Sequence, residues 1–294
     1  MFKQQSFSSA QKKKLLILGE LTLLIIVSLY MWGFSLKTEK YSVSSDKIDS
    51  RIKIVFISDL HNCTYGGKEQ TQLWNEIEKA SPDLVLFGGD IIDQYGDIDN
   101  ALTIMRKSAE KYNCCYAEGN HEQRRDDLKE FEKKVKELGI PVLKGSCAEF
   151  EINNQKIRVY GITDSVQKRK KHQTQLECCL DDLDENYYNI LLAHKPQDYR
   201  KYLGMENNTL TESYPDSFDL ILSGHAHAGQ WRIPYILDQG LYAPDQGIFP
   251  SYTNGSFEYG DTVHIISRGL AIPVRMCIIP RIFNRPELSV IEIV

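Results

Sequence analysis

The chain of 294 residues lacks the cysteine pattern of a disulfide-stabilised or zinc-stabilised protein. Its seven cysteines are an odd number, include the adjacent pairs Cys114-Cys115 and Cys178-Cys179, and contain no CxxC pair. Structural zinc modules are usually built on such pairs, so none is predicted. Most of the cysteines are expected to be buried apolar side chains or free thiols, a usage that suits a reducing compartment.

The chain also lacks an excess of positive charge and any internal repeat. Its net charge is −5, which does not indicate a general nucleic-acid-binding surface, so no nucleic-acid partner is expected. The hydrophobic fraction of 42% and the charged fraction of 26% are ordinary for a folded protein. Residues 51–294 are numerous enough for one large domain with a sizeable core.

One long apolar run is present, and it lies near the N-terminus. Residues 15–36 carry a single charge, Glu20, and about 20 apolar residues match the thickness of a hydrocarbon core. The run predicts a transmembrane helix over 15–36, preceded by a short tail, 1–14, and followed by a polar linker, 37–50. A cleaved signal peptide would need small residues at its end, where Tyr-Met-Trp-Gly-Phe stands instead. A buried core helix would show a polar stripe, which is nearly missing here.

The charges around this run bear on the side of the membrane that the domain occupies. Lys12, Lys13 and Lys14 favour a cytoplasmic N-terminus, and therefore an extracytoplasmic domain on a single-pass cell-membrane protein. Lysines beyond the run weaken this bias, and the cysteines argue against an oxidising exterior. The extracytoplasmic placement is the prediction that we carry forward.

Residues 51–294 alternate between strand and helix patterns and then become rich in strands. The first half predicts strands at 52–58, 84–87 and 114–117, with helices at 69–80 and 98–111 between them. A charged helix at 126–138 and five further strands follow, at 157–161, 189–193, 220–223, 263–267 and 288–293. This mixture indicates α/β layers whose sheet edge carries functional loops.

Side chains that bind metals follow these strands at once. Aspartate, histidine and asparagine provide mixed oxygen and imidazole ligands, which suit Mn, Fe, Zn or Co better than Ca or Mg alone. If the segments after the strands are extended, alternate residues such as Asp59 and His61 point the same way. Each short motif alone is weak, but their succession predicts one shared metal site formed by Asp59, His61, Asp90, Asn120, His194, His225 and His227.

These blocks resemble those of the calcineurin-like metallophosphoesterase superfamily. The resemblance covers residues 52–230 and rests on Asp59-x-His61, Gly89-Asp90, Gly119-Asn120-His121-Glu122, His194 and Gly224-His225-x-His227. Later segments are similar to the membrane-anchored bacterial branch that includes YkuE-like phosphoesterases, namely Gly229-Gln230, residues 242–247, 267–270 and 281–287.

The resemblance implies a four-layer αββα sandwich and a binuclear metal centre. It implies that Asp59, His61, Asp90 and His227 hold one divalent transition-metal ion, Mn, Fe or Zn. It implies that Asp90, Asn120, His194 and His225 hold the second, with Asp90 bridging the two.

Two such ions would share a water and lower its pKa, so that a bridging hydroxide attacks a phosphomonoester or phosphodiester. His121 would then donate a proton to the departing oxygen, or would only hydrogen-bond a ligand. This reading makes the chain a hydrolase that acts on a phosphate ester.

Alternatives for the substrate and for function stay open at this point. Within the same fold, a UDP-2,3-diacylglucosamine pyrophosphatase-like lipid phosphohydrolase is the second hypothesis. The aromatic residues between 229 and 262 are either core and turn residues or a substrate rim for a lipid-linked or nucleotide-linked group. A metal-binding scaffold without turnover and a metallohydrolase that acts on a bond other than a phosphate ester are further alternatives. The physiological substrate, the native metals and the oligomeric state are not predicted.

Overall fold

Short apolar runs become the central strands of two six-stranded sheets. The computed structural model describes residues 8–164, 169–204, 218–233, 235–272 and 281–294. The first sheet has the order β1-β14-β2-β3-β4-β5, formed by Lys37–Val43, Glu287–Ile293, Ile52–Ile57, Leu84–Gly88, Asn113–Ala117 and Val142–Leu143. The second has the order β12-β13-β9-β8-β7-β6, formed by Gly255–Tyr259, Thr262–Ile266, Leu220–Ser223, Tyr188–Leu192, Gln155–Gly161 and Ser146–Ile152.

Central strands of the first sheet bury both faces, and alternate residues enter two different cores. Phe56 of β2 and Leu86 of β3 pack between the sheets, whereas their neighbours Val55 and Val85 pack on the outer side. This alternation follows from the two-residue period of a strand. It also explains the adjacent cysteines of β4, because Cys115 faces the inner core and Cys114 the outer one. Both are free thiols, in line with the expectation from sequence.

Helices cover the outer face of each sheet. The outer core of the first sheet takes side chains from α2 (Thr71–Ala80), α3 (Asp99–Ala109) and α4 (Leu128–Glu137). The outer core of the second sheet takes side chains from α5 (Arg169–Asp181) and α6 (Tyr199–Tyr202). The result is a mixed α/β sandwich with four layers, which confirms the fold class expected from the sequence.

The parallel strands bring their carboxyl ends to one edge of the sandwich. β2, β3 and β4 are parallel neighbours in the first sheet, as are β7, β8, β9 and β13 in the second. Loops at the carboxyl ends of parallel strands are where α/β proteins place their sites. A small hairpin, β10 (Tyr242–Ala243) and β11 (Gly247–Ile248), lies between β9 and β12 along the chain.

The predicted linker over residues 37–50 needs correction. Lys37–Val43 is strand β1 and pairs in parallel with β14 along its whole length. Its sequence alternates charged residues with few apolar ones, so it carries no signal of burial. The chain therefore joins the domain at Leu36, which is only 8% exposed and packs in the outer core of the first sheet.

The predicted transmembrane helix over 15–36 is corrected in its bounds and is not found as a membrane span. The helix α1 runs from Ser9 to Trp32, and the residues after it turn toward the domain, where Arg285 hydrogen-bonds the carbonyls of Ser35 and Leu36. Within the described residues, none of the helices has the length and apolar content needed to cross a membrane.

Candidate metal centre

Every side chain predicted to bind metal lies just beyond the end of a strand at the shared edge of the two sheets. The first sheet supplies the residues after β2, β3 and β4, and the second supplies those after β8 and β9. Their exposed fractions are 8% or less, and the residues are Asp59, His61, Asp90, Asn120, His194, His225 and His227. His121 is the more accessible neighbour, with 26% of its side chain exposed.

Three of these side chains form a first group. The ligand atoms of Asp59, His61 and His227 all lie within 4.8 Å of one another. Oδ1 of Asp59 is 3.9 Å from Nε2 of His61 and 3.9 Å from Nε2 of His227. One carboxylate and two imidazoles thus converge from the ends of β2 and β9.

Asp90, His194 and His225 form a second group with the same spacing. Oδ2 of Asp90 is 3.1 Å from Nε2 of His194, and the rings of His194 and His225 are 5.2 Å apart. The same oxygen of Asp90 is 3.7 Å from Nε2 of His61, a member of the first group. Asp90 therefore belongs to the second group and also lies next to the first.

Several ligand atoms in this site are buried without a hydrogen-bond partner among the described residues. They are Nε2 of His61, Nδ1 of His227 and Oδ1 of Asn120. An unpaired buried acceptor costs about 1–3 kcal/mol, so such atoms require a reason to be there. Imidazole nitrogens, an amide oxygen and carboxylates are the donor set of a transition-metal ion, and the residues present fit such ions.

The backbone at this edge is strained where the ligands lie. Asp59, His61, Asp90, His225 and His227 have φ values of 51°, 48°, 52°, 66° and 48°. The left-handed region costs an L-residue about 1–2 kcal/mol, and residues held there cluster at functional sites. The segments after β2 and β9 are therefore tight turns and not the extended chain expected from sequence. Asp59 and His61 still face one point, but the turn brings them there.

Close packing of the loops explains two of the glycines before the ligands. A Cβ on Gly89, whose φ is +89°, would lie 2.7 Å from both the Gly119 nitrogen and Nδ1 of His194. A Cβ on Gly224 would overlap Oδ2 of Asp59 and lie 2.7 Å from Oγ of Ser58. A side chain at either position would push a ligand out of place.

The buried side chain of Glu122 joins the loop after β3 to the loop after β4. Its carboxylate accepts hydrogen bonds from the backbone N–H groups of Asp90 (2.9 Å), Ile91 (2.7 Å) and Gly119 (2.9 Å), with that of Ile92 at 3.3 Å. The side chain is fully buried. The loops after β3 and β4 are thus held together by one side chain, which the sequence showed only as the last residue of a motif.

Asp93 is a functional candidate that sequence reasoning missed. Its Oδ1 lies 2.8 Å from Nδ1 of His121 and 3.7 Å from Nδ1 of His61. An imidazole that donates its Nδ1 hydrogen to a carboxylate keeps a fixed ring orientation and presents Nε2 elsewhere. The only signal in the sequence was the spacing of three residues after Asp90.

Asp245 was quoted in a motif without being given a role. Its Oδ2 lies 3.2 Å from Nε2 of His225 and 2.7 Å from Nζ of Lys195. Lys195 also lies 3.3 Å from Asp164. The second group of ligands thus has an acidic residue and a lysine at its rim.

The carboxylates create a strongly negative environment for the histidines. Burial alone would lower the pKa of His194, but Asp90 and Asp59 outweigh it and raise that pKa to about 10. Burial opposes charge on Asp90 as well, yet His194, His121 and His61 hold its pKa well below the usual range. An environment that favours a proton on a buried imidazole also favours a metal cation beside it.

Comparison with known families adds an independent finding. Residues 52–229 match the sequence model of the family described as calcineurin-like phosphoesterase. An uncharacterised metallophosphoesterase of Helicobacter pylori is 27% identical over 246 residues, which are 81% of this chain and 60% of that protein. The Bacillus subtilis metallophosphoesterase YkuE is 26% identical over 269 residues, 89% of this chain and 86% of its own.

The chain is also similar to a second curated relative and to a solved structure. A Danio rerio transmembrane protein with a metallophosphoesterase domain is 26% identical over 232 residues, 74% of this chain and 51% of its own. Among solved structures, a dimetal phosphatase from Danio rerio aligns with a TM-score of 0.39 and 13% identity over 74% of this chain and 87% of its own. The chain spans 60% of the length of the Helicobacter protein that it matches.

Proposed function

Because the chain belongs to the calcineurin-like phosphoesterase family, a family of phosphoric ester hydrolases, we propose that it hydrolyses a phosphate monoester or diester with two divalent metal ions. The observation that carries the proposal is the position of Asp90 between two groups of ligands, each with one carboxylate and two histidines.

The two groups divide the ligands between the ions. Asp59, His61, Asp90 and His227 would hold the first ion, and Asp90 would be shared with the second. The second would also be held by Asn120, His194 and His225, with Mn, Fe or Zn as the metal. Bound ions of this kind acidify water to near neutral pH and neutralise the charge of phosphate oxygens.

His121 is the residue that we propose to handle the leaving group. Its Nδ1 faces Asp93, and its Nε2 lies on the other side of the ring, 3.9 Å from Oδ2 of the shared Asp90. It is more exposed than the ligands, and its backbone N–H donates to Oδ1 of Asp90 at 2.8 Å. This anchors the imidazole beside the shared carboxylate, where a proton on Nε2 can pass to the departing oxygen.

Replacement of Asp90 tests the proposal directly. Asp90→Ala removes the shared carboxylate and leaves two under-coordinated cations to repel each other. We expect turnover of phosphate esters to disappear and the metal content to fall from about two ions per chain. Asp126→Ala, at an exposed position, is the control. Elemental analysis and a screen of phosphomonoesters, diesters and UDP-linked lipids provide the readouts, and near-normal values for Asp90→Ala would contradict the shared role.

We also propose that α1 holds the chain at a membrane and that residues 37–294 form the phosphoesterase domain on the extracytoplasmic side. Large apolar side chains of α1 remain exposed, including Leu16 at 63% and Ile25 at 59%. Carbonate-washed membranes should retain the full chain, and protease added to sealed cells without a wall should cleave the domain. Recovery of the chain in the wash would contradict the attachment, and protection from protease would contradict the sidedness.

A further inference from the structure

An apolar surface that is exposed to solvent lies beside the candidate metal centre. We define the apolar ledge as six large side chains between residues 231 and 249 that remain exposed to solvent. Their exposed fractions are 40%, 41%, 101%, 83%, 69% and 68%, for Trp231, Ile233, Tyr235, Ile236, Ile248 and Phe249. Soluble surfaces rarely gather so many exposed apolar side chains, and such patches mark interaction sites.

The backbone under the ledge is strained. Tyr235 and Phe249 have φ values of 67° and 56°, a region in which a bulky residue is an outlier. The cost is about 1–3 kcal/mol for each residue, yet both side chains point into solvent and gain little burial inside the chain. A contact outside the chain would give this conformation a purpose.

The ledge is built onto the loop that carries a metal ligand. The N–H of Leu241 lies 3.0 Å from the carbonyl of Gly229 and 2.8 Å from that of Trp231, and the N–H of Phe249 donates to the carbonyl of Leu241 at 2.9 Å. These bonds place Trp231, Leu241 and Phe249 side by side. Gly229 ends the short 3₁₀ turn that starts at His227. The ledge therefore forms part of the surround of the metal centre.

The other side of the ledge continues to α1. Trp231 forms a parallel bridge with Ile282, and the ring of the next residue, Phe283, lies 6.1 Å from that of Trp32 in an edge-to-face contact. Trp32 is the last residue of α1. Apolar side chains thus run from the helix, across its junction with the domain, to the metal centre.

The helix identifies the kind of partner that covers this surface. Residues from Leu15 to Leu18 and from Leu23 to Val27 are all between 47% and 63% exposed, so they leave every side of the helix uncovered. A protein partner covers one face of a helix, whereas lipid surrounds it. Tryptophan and tyrosine, which occur in the ledge, favour the boundary between headgroups and acyl chains.

We propose that the apolar ledge rests in the interfacial layer of a lipid bilayer and holds the metal centre against the membrane surface. Its substrate class is then an amphiphilic phosphate ester, presented with its acyl or alkyl part in the bilayer. The substrate class rests on the proposed hydrolysis of a phosphate ester, whereas the position of the ledge rests only on the proposed attachment of α1 to a membrane. Interfacial side chains of this kind enter a bilayer by about 5–10 Å.

Tryptophan fluorescence tests the position of the ledge without any activity. The chain has three tryptophans, so Trp32→Phe with Trp74→Phe leaves Trp231 as the single reporter. The full chain is added to phosphatidylcholine and phosphatidylglycerol vesicles with brominated acyl chains, which quench only tryptophans in contact with lipid. We expect Trp231 to be quenched and its emission to shift to the blue. The matched control carries Trp32→Phe and Trp231→Phe and so retains Trp74 alone. Trp74 packs against the outer core of the first sheet, and its fluorescence should be neither quenched nor shifted.

Three outcomes would overturn the placement of the ledge. One is a chain that stays free of the vesicles, and another is a vesicle-bound chain whose Trp231 is not quenched. The third is a blue shift that grows with protein concentration and ignores the brominated lipid, because a second copy of the chain would then cover the ledge.

A charge placed on the ledge tests the substrate class. Phe249→Glu should leave turnover of soluble nitrophenyl phosphate unchanged and lower, at least severalfold, that of a long-chain alkyl nitrophenyl phosphate held in vesicles. Val294→Glu is the control. Val294 is 49% exposed and follows β14 beside the start of β2, at the end of the first sheet that lies away from the candidate metal centre. Equal turnover of the vesicle-held ester by Phe249→Glu and the control would overturn the substrate class. Quenching of Trp231 without hydrolysis of any ester would instead remove the proposed function and leave the ledge in place.

Discussion

Glu122→Gln should loosen the metal centre without touching a metal ligand. In the native chain, Oε2 accepts the N–H groups of Asp90 and Gly119, and Oε1 accepts that of Ile91, with the Ile92 N–H at 3.3 Å. Glutamine has nearly the same shape but replaces one oxygen with an NH₂ group, which cannot accept. Whichever way the amide turns, one or two backbone donors lose their acceptor.

The magnitude follows from the burial of these groups. Each unsatisfied buried donor costs about 1–3 kcal/mol, and the loops recover part of that by shifting. We therefore expect a loss of about 2–4 kcal/mol of stability, which lowers the Tm of a chain of this size by about 5–15 °C. The shift also displaces the backbone of Asp90, so metal content and turnover should fall together.

Melting followed by circular dichroism, with elemental analysis of the same preparations, measures both effects. Glu130→Gln is the matched control, because Glu130 lies on the exposed face of α4 and its carboxylate forms a surface ion pair with Lys134 at 3.0 Å. Exposed pairs of this kind contribute about 0–1 kcal/mol. A Tm and a metal content for Glu122→Gln that equal those of the control would refute the role of the carboxylate in joining the loops.

Two further substitutions separate chemistry from assembly of the site. His121→Gln should keep the proposed metals bound and lower the turnover of alkyl esters by about 10²–10⁴-fold. The turnover of nitrophenyl esters should change little, because only the basic alkoxide needs a proton. Equal losses for both classes of ester would point to phosphate positioning instead. Gly224→Ala should lower metal content and turnover, because its Cβ would overlap Oδ2 of Asp59, whereas Gly19→Ala, with no atom within 4 Å of its Cβ, should be neutral; metal content in Gly224→Ala equal to that of Gly19→Ala would contradict the crowding.

The sequence predicted the centre of the fold well because its signals were strong there. Strands such as Ile52–Ile57 and Leu84–Gly88 are continuous apolar runs, since both faces are buried. The edge strands gave no such signal. Lys37–Val43 is mostly half-buried, and its partner strand lies about 250 residues later in the chain, a pairing that no local pattern reveals. Ser146–Ile152 and Gly255–Tyr259 were missed because their residues are mostly half-buried or exposed, although each pairs with the next strand along the chain.

The site was predictable in its composition but not in its geometry. The candidate ligands follow strands directly, so the apolar runs locate them. The left-handed backbone at Asp59 and Asp90 could not be predicted from the sequence, because an aspartate adopts either sign of φ without a change in residue type. The supports of the site were equally hidden. Asp93 and Asp245 are ordinary loop acids until the fold brings them to His121 and His225.

The division of the ligands between two sheets has a physical consequence. Asp59, His61, Asp90 and Asn120 follow strands of the first sheet, whereas the remaining three histidines follow strands of the second. The inner core, with residues such as Phe56 and Leu222, is what keeps the two sheets in register. The proposed binding sites therefore cannot form in either sheet alone.

The same arrangement gives the strained backbone a source of compensation. Five candidate ligands in left-handed turns cost several kcal/mol together, and the buried atoms that lack partners add to this cost. Cations that bind only the folded chain return free energy in proportion to the logarithm of their concentration over Kd. A chain built in this way stores strain at the edge where its two sheets meet, and the proposed ions, held from both sheets at once, would offset its cost. Strain and metal affinity are then two aspects of one design, since a relaxed backbone would point the same side chains apart.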